Sequence, residues 1–229
     1  MPVRRELLEA VPDLPEAVEI RALLLDATTD LRGDARGAVL FSPSYALIAL
    51  IGAPAPALIA SAVRDAGEGE GWSVLALRPV TVPGLEWTRA AMMTLVDARM
   101  LERAVDASRE HVRALTRPEL ARVPASYSAE VSAAFARGVV MCARVDGEPA
   151  CFAYAVLRTE TYFDLSVDTV EAHRDRGLAQ LTAAALIRAE RAATGRMPVW
   201  GALESNAPSL AVARALGFAA VGELFVVEL

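Results

Sequence analysis

The spacing of apolar residues changes along this chain, and the changes mark out its elements. Two apolar-rich runs, Val139–Val145 and Ala150–Arg158, flank Asp146-Gly147-Glu148-Pro149, the composition of a hairpin turn. A third strand-like run covers Thr161–Thr169. From Gly177 to Ala193 the pattern switches to the three-and-four spacing of a helix. Met197–Leu203 is strand-like again, and a short helix follows, opened by Asn206 as N-cap and stopped by Gly217. Upstream, His111–Leu115 predicts a strand. Thr116-Arg117-Pro118-Glu119 fits a capping box with Pro in the first turn, and a second helix covers Tyr127–Ala136. From His111 onward the predicted order is β-α-α-β-β-β-α-β-α-β-β.

The N-terminal part is patterned differently. Residues 4–31 read as helical, with Pro15 suited to a first turn and Val18, Leu23, Leu24 and Leu25 on an apolar face. Ala38–Phe41 and Tyr45–Ile51 predict two short strands, Pro54–Ala66 a helix, and Trp72–Leu77 another strand. The loop Gly67-Glu68-Gly69-Glu70-Gly71 ends that helix, and Pro79 and Pro83 bracket a further loop. Ala90–Val96 fits a strand and Ala98–Ala107 a helix. With 229 residues the chain has room for one large domain or two small ones. The boundary is placed between 1–108, an N-terminal α/β region, and 109–229.

Composition narrows the function classes. Apolar residues make up 54% of the chain, enough for a substantial core. No apolar run reaches membrane-span length, and no basic-then-apolar leader opens the chain, so a cytoplasmic protein with no membrane partner is expected. A net charge of −6 argues against a nucleic-acid partner. The sequence has no Lys, which excludes a Lys-containing P-loop and Schiff-base chemistry. Cys142 and Cys151 read as buried core thiols, and with two His and no zinc-ligand spacing no metal is expected.

The candidate chemistry lies in His173-Arg174-Asp175-Arg176-Gly177-Leu178-Ala179, between a strand and a helix. A helix start leaves backbone N–H groups unpaired and partly positive. Gly177 and Ala179 let a phosphate approach those amides, and Arg174 and Arg176 add forked donors. The next strand leads into Glu204-Ser205-Asn206-Ala207-Pro208-Ser209 and ends its helix at Leu216-Gly217-Phe218.

This order of strand, Arg-x-x-Gly-x-Ala turn, helix, strand, Asn-x-x-Ser helix and Leu-Gly-Phe resembles the GNAT superfamily of acyl-CoA N-acetyltransferases. The resemblance is specific over about 138–229 and extends more loosely back to 109. It implies an α/β (α+β) fold, a mixed and mostly antiparallel twisted sheet flanked by helices. The strand–strand–helix–strand pattern of 38–77 is compatible with a degenerate half of that fold. It lacks the Arg-x-x-Gly-x-Ala turn and is assigned no cofactor.

The resemblance implies acetyl-CoA as co-substrate, with the pyrophosphate on the amides of Arg174, Asp175, Arg176, Gly177, Leu178 and Ala179. It implies pantetheine along the backbone of Val167 and Thr169, with Asn206 and Ser209 beside it. The implied reaction is acetyl transfer to the amine of a small molecule or peptide, by direct attack in a ternary complex. Many members carry Tyr four residues before the Gly of Leu-Gly-Phe, to protonate the thiolate; here that position is Ala213, which leaves the general acid absent or supplied by another side chain such as Tyr162. The family's occasional catalytic Glu on the central strand falls near Phe163, so Asp164 and Glu204 are the candidate bases. Asp168 and Glu171 read as solvated loop charges. These two departures from the family pattern keep a non-catalytic acyl-CoA-binding or interaction module as the alternative. The acceptor and the oligomeric state stay open.

Overall fold

The computed structural model describes residues 2–67, 71–81, 84–108 and 111–229. The expected Glu68–Glu70 loop, Pro83 and the start of the second domain at Arg109 lie outside those residues. The chain forms two compact units, one of residues 1–92, 202–205 and 221–229, the other of 93–201 and 206–220. Among the described residues no helix is long and apolar enough to cross a membrane.

In the first unit the single helix expected over 4–31 is instead two, α1 (Pro2–Ala10) and α2 (Val18–Leu25), with a 3-10 turn at Pro15–Ala17 between them. Pro15 does open a first turn, but of a new helix. Arg4 caps the end of α2 through the carbonyl oxygens of Leu24 (2.8 Å) and Asp26 (2.7 Å). Asp26 Oδ1 then accepts the Thr28 amide at 2.8 Å and turns the chain into strand β1 (Asp30–Asp34), where helix had been expected to continue. β2 (Gly37–Ser42), β3 (Leu47–Gly52), α3 (Pro56–Ala66) and β4 (Ser73–Ala76) follow as the pattern predicts. β1, β2 and β3 are antiparallel neighbours, and β3 pairs parallel with β4 across the α3 connection. All six residues of β2 are buried, as a strand covered on both faces requires. Ile59 and Ala62 of α3 pack on Val39, Phe41, Ile48 and Leu50.

β5 (Thr88–Leu95) and α4 (Ala98–Ser108) lead into the second unit. There β6 (Val112–Ala114) is followed by α5 (Arg117–Leu120), with both arms of the Thr116–Glu119 capping box formed. α6 (Ala125–Arg137) comes next, then β7 (Val140–Val145) and β8 (Glu148–Arg158). The hairpin between them is tighter than expected. Val145 pairs with Glu148, and only Asp146 and Gly147 turn, both at positive φ (52° and 82°), the pattern of a type I′ turn. β9 (Tyr162–Thr169), α7 (Leu178–Thr194), β10 (Met197–Leu203) and α8 (Ala207–Ala215) complete the pattern. A single strand, β11 (Phe218–Glu228), replaces the expected final pair. Gly222, mid-strand, continues the strand rather than turning it, with Glu16 packed where a side chain would stand.

α6 and α7 cover opposite faces of the second unit's sheet. Val131 and Ala134 of α6 pack on Cys142, Phe152 and Tyr154. The alternate residue Cys151 lies on the other face, where it interacts with Thr182 of α7. Cys142 and Cys151 are both free and buried on different faces, and burial pushes the Cys142 thiol up to about 11, so both are inert. The architecture is the expected mixed α+β one, an open and mostly antiparallel sheet flanked by helices.

Candidate functional site

β9 and β10 start side by side and then part. Tyr162 pairs with Met197, Phe163 with Pro198 and Asp164 with Val199, and there the pairing stops. β9 continues for five more residues, Leu165–Thr169, held on its other side by β8. The Val170 amide donates to Ala150 O at 2.9 Å, which fixes the alternation of the ladder. Asp168 and Ser166 therefore turn their backbone groups toward β8, while Leu165, Val167 and Thr169 turn theirs toward the gap left by β10. Thr169 O accepts the Tyr127 hydroxyl at 3.2 Å. An open strand edge of this kind offers donors and acceptors in a row to an extended chain laid along it.

The edge leads to the β9–α7 turn. A 3-10 turn covers Glu171–His173, and the Arg174 amide bonds back to Glu171 O at 3.2 Å. The next amide to bond back is that of Leu181, to Gly177 O. Among the described residues, the amides of Asp175 to Gln180 meet no backbone carbonyl. Asp175 (φ 59°) and Gly177 (φ 74°) are left-handed, which folds the row of N–H groups into a concave cradle at the start of α7. Gly177 itself is the N-cap, one residue before the helix. A Cβ added there meets nothing within 4 Å, so it is the left-handed backbone angle alone that favours glycine. Arg174 and Arg176 are exposed, with Arg176 lying 3.3 Å from the His173 ring.

Across the gap, Asn206 Oδ1 accepts the Ser209 amide at 3.1 Å, so Asn206 caps α8. Ser209 is not a bare helix-surface residue, because its hydroxyl accepts the Trp200 ring N–H at 2.9 Å. Ala213 is completely buried.

The three residues singled out for proton transfer stand in different surroundings. Tyr162 sits at the paired end of β9, where the Thr159 hydroxyl accepts its amide at 3.0 Å. Asp164 is buried at the last pair before the strands part. Glu204 belongs to the first unit, where its half-exposed carboxylate pairs with Arg89 at 3.1 Å. Arg89 also reaches Glu223 at 3.5 Å.

Asp168 corrects the sequence reading. It lies within β9, not in a loop, and its Oδ2 accepts the Tyr154 hydroxyl at 2.9 Å. Tyr154 stands directly opposite Ser166 across the β8–β9 ladder, on the same face. Burial raises the Asp168 carboxyl above its ordinary range, against the opposing effect of the Tyr154 bond. Burial and then the Asp168 charge raise Glu130 and Tyr154 as well. The signal was present in the sequence: Asp164, Ser166 and Asp168 recur at every second residue on the face that carries Phe152 and Tyr154. Such alternation usually marks a solvent face, but here α6 covers it. Glu171 is exposed, as read.

Residues 120–226 match the family model described as GNAT acetyltransferase, so that region of the chain is similar to the GNAT superfamily. A search of curated proteins finds no match. Among solved structures, a GCN5-related N-acetyltransferase-like protein from Streptococcus suis is 20% identical, with a TM-score of 0.76 over 100% of this chain and 99% of that one. A putative acetyltransferase of the GNAT family from Novosphingobium aromaticivorans is 21% identical, with a TM-score of 0.59 over 83% and 86%. A tandem GNAT protein from the clavulanic acid biosynthesis pathway is 15% identical, with a TM-score of 0.56 over 99% and 95%. At these identities the likeness establishes the fold. Family and fold together support acyl transfer as the class of reaction.

Proposed function

We propose that the protein is an N-acetyltransferase that uses acetyl-CoA and acetylates a primary amine by direct attack in a ternary complex. The observation that carries this reading is the parting of β9 from β10 after Asp164–Val199, which leads straight to the free amides of Asp175 to Gln180. The pyrophosphate would lie in the amide cradle with Arg174 and Arg176 outside it. Pantetheine would follow the Val167 and Thr169 backbone, with Asn206 and Ser209 facing it across the gap. A thioester needs little activation, so positioning it beside the amine supplies most of the catalysis. Tyr162, Asp164 and Glu204 are the residues proposed from the sequence for the proton steps. The test is calorimetric titration with acetyl-CoA, followed by thiol release in the presence of a panel of amines. No heat and no release would refute the reading. Binding without release on any amine would leave an acyl-CoA-binding module.

A further inference from the structure

Resting on that reading, we propose that Ser166, Tyr154 and Asp168 form a hydroxyl relay that carries the proton of the incoming ammonium away from the gap between β9 and β10. Four observations support it. Ser166 and Asp168 rise from the segment of β9 that has lost its β10 partner, interleaved with the residues whose backbone faces the gap. Tyr154 lies between them: it pairs directly with Ser166 across the ladder, and its hydroxyl donates to Asp168 Oδ2 at 2.9 Å. The far end reaches solvent through Glu130, which is exposed on α6 and close enough to feel the Asp168 charge. Tyr154 is almost fully buried in the cluster beneath α6, which holds its ring and hydroxyl oxygen in place.

The transfer balances. The ammonium gives a proton to Ser166 Oγ as Ser166 passes its own to Tyr154 Oη and Tyr154 passes its own to Asp168 Oδ2. The amine lone pair then forms the N–C bond, the C–S bond breaks, and the second nitrogen proton leaves with the thiolate as CoA thiol. Asp168, now a carboxylic acid, returns its proton to solvent past Glu130. Ser166 is the group that meets the amine; Tyr154 and Asp168 act through it. The environment suits each part. A tyrosine whose pKa is raised stays a neutral hydroxyl that can accept and donate together, and a carboxyl whose pKa is raised is a better proton acceptor than an ordinary aspartate. The titratable groups that interact with Asp168 are Tyr154, Glu130 of α6 and, through the strand, Cys151 of β8.

The experiment compares wild type with Tyr154→Phe, Asp168→Asn and Asp168→Glu. Tyr154→Phe keeps the ring and removes the bridge. Asp168→Asn keeps an oxygen for Tyr154 but cannot take the proton. Both should lower kcat/KM for the amine about 10²-fold or more near neutral pH, the usual effect of removing a positioned acid or base. The deficit should shrink at alkaline pH, where free amine is abundant, and Asp168→Glu should recover part of the rate. Acetyl-CoA affinity should not change. A purely structural role would lower the rate equally at every pH. Native kcat/KM at neutral pH in either folded variant overturns the relay, and if Tyr154→Phe does not fold, Asp168→Asn alone decides. A wild type that neither binds acetyl-CoA nor releases thiol overturns the function itself.

Discussion

Gly177 offers a clean separation of fold from ligand binding. It holds φ 74° and ψ 2°, and a Cβ built there meets nothing within 4 Å. A side chain at this position therefore costs only the left-handed backbone, about 1–2 kcal/mol. For a chain of this size that is a fall in Tm of roughly 2–4 °C per kcal/mol. Gly177→Ala and Gly177→Glu share this cost. They differ in what they place before the amides of Asp175 to Gln180: a methyl group, or a carboxylate that repels a pyrophosphate. At about a hundred times Kd, acetyl-CoA should stabilise the wild type by roughly 2.7 kcal/mol. Thermal unfolding with and without millimolar acetyl-CoA should show that gain in the wild type and most of it in Gly177→Ala. Gly177→Glu should show none, while its far-ultraviolet dichroism stays native. A full ligand-induced shift in Gly177→Glu would place the phosphates elsewhere and refute the reasoning.

At Asn206, replacement by Ala should cost about 1 kcal/mol of stability as the cap to the Ser209 amide is lost, and replacement by Asp should restore it. If Asn206 also donates to pantetheine, calorimetry should find acetyl-CoA affinity reduced in Asn206→Asp as well; native affinity there makes it a cap only. Titration should give one acetyl-CoA per chain, because the first unit's β3–α3 turn carries Pro54 and Pro56, which have no N–H to offer. Burial raises Glu19 from 4.5 to about 7, so its contribution to stability is complete below 4.5 and lost as pH rises through 7. Glu19→Gln should match the wild type near pH 4 and exceed it at pH 8 by at most about 3 kcal/mol, less for the solvent contact it keeps. Urea unfolding at the two pH values checks this, and an equal difference at both would contradict it.

Elements set by short-range chemistry were legible in the sequence. The Thr116–Glu119 box, the Asp146-Gly147 turn and the Asn206 cap each depend on residues a few positions apart, and each formed. What the sequence hid depends on distant partners. Nothing in Asp164 to Thr169 announces that β10 will leave after Val199, because where a ladder ends is decided by both strands. Asp168 looked solvated because alternation reports which face a residue is on, not what covers that face. The ion pair of Glu204 was hidden because its partner Arg89 lies on a strand far back in the chain.

The two units show that one topology can leave different backbone edges. Each contains antiparallel strands followed by a parallel pair joined through a helix, β3–α3–β4 in the first and β9–α7–β10 in the second. In the first, β4 is paired with β3 along its whole length, from Ser73 to Ala76, and the turn that follows β3 carries two prolines and places Ala55 at the helix N-cap. In the second, β10 uses three of its seven residues on β9 and then diverges, and the turn ends in the left-handed Gly177. The same chain path thus closes its edge in one unit and opens it in the other. Among the described residues, a gap-facing backbone at Leu165, Val167 and Thr169 that leads to the amides of Asp175 to Gln180 belongs to the second unit, and the proposed function rests on it.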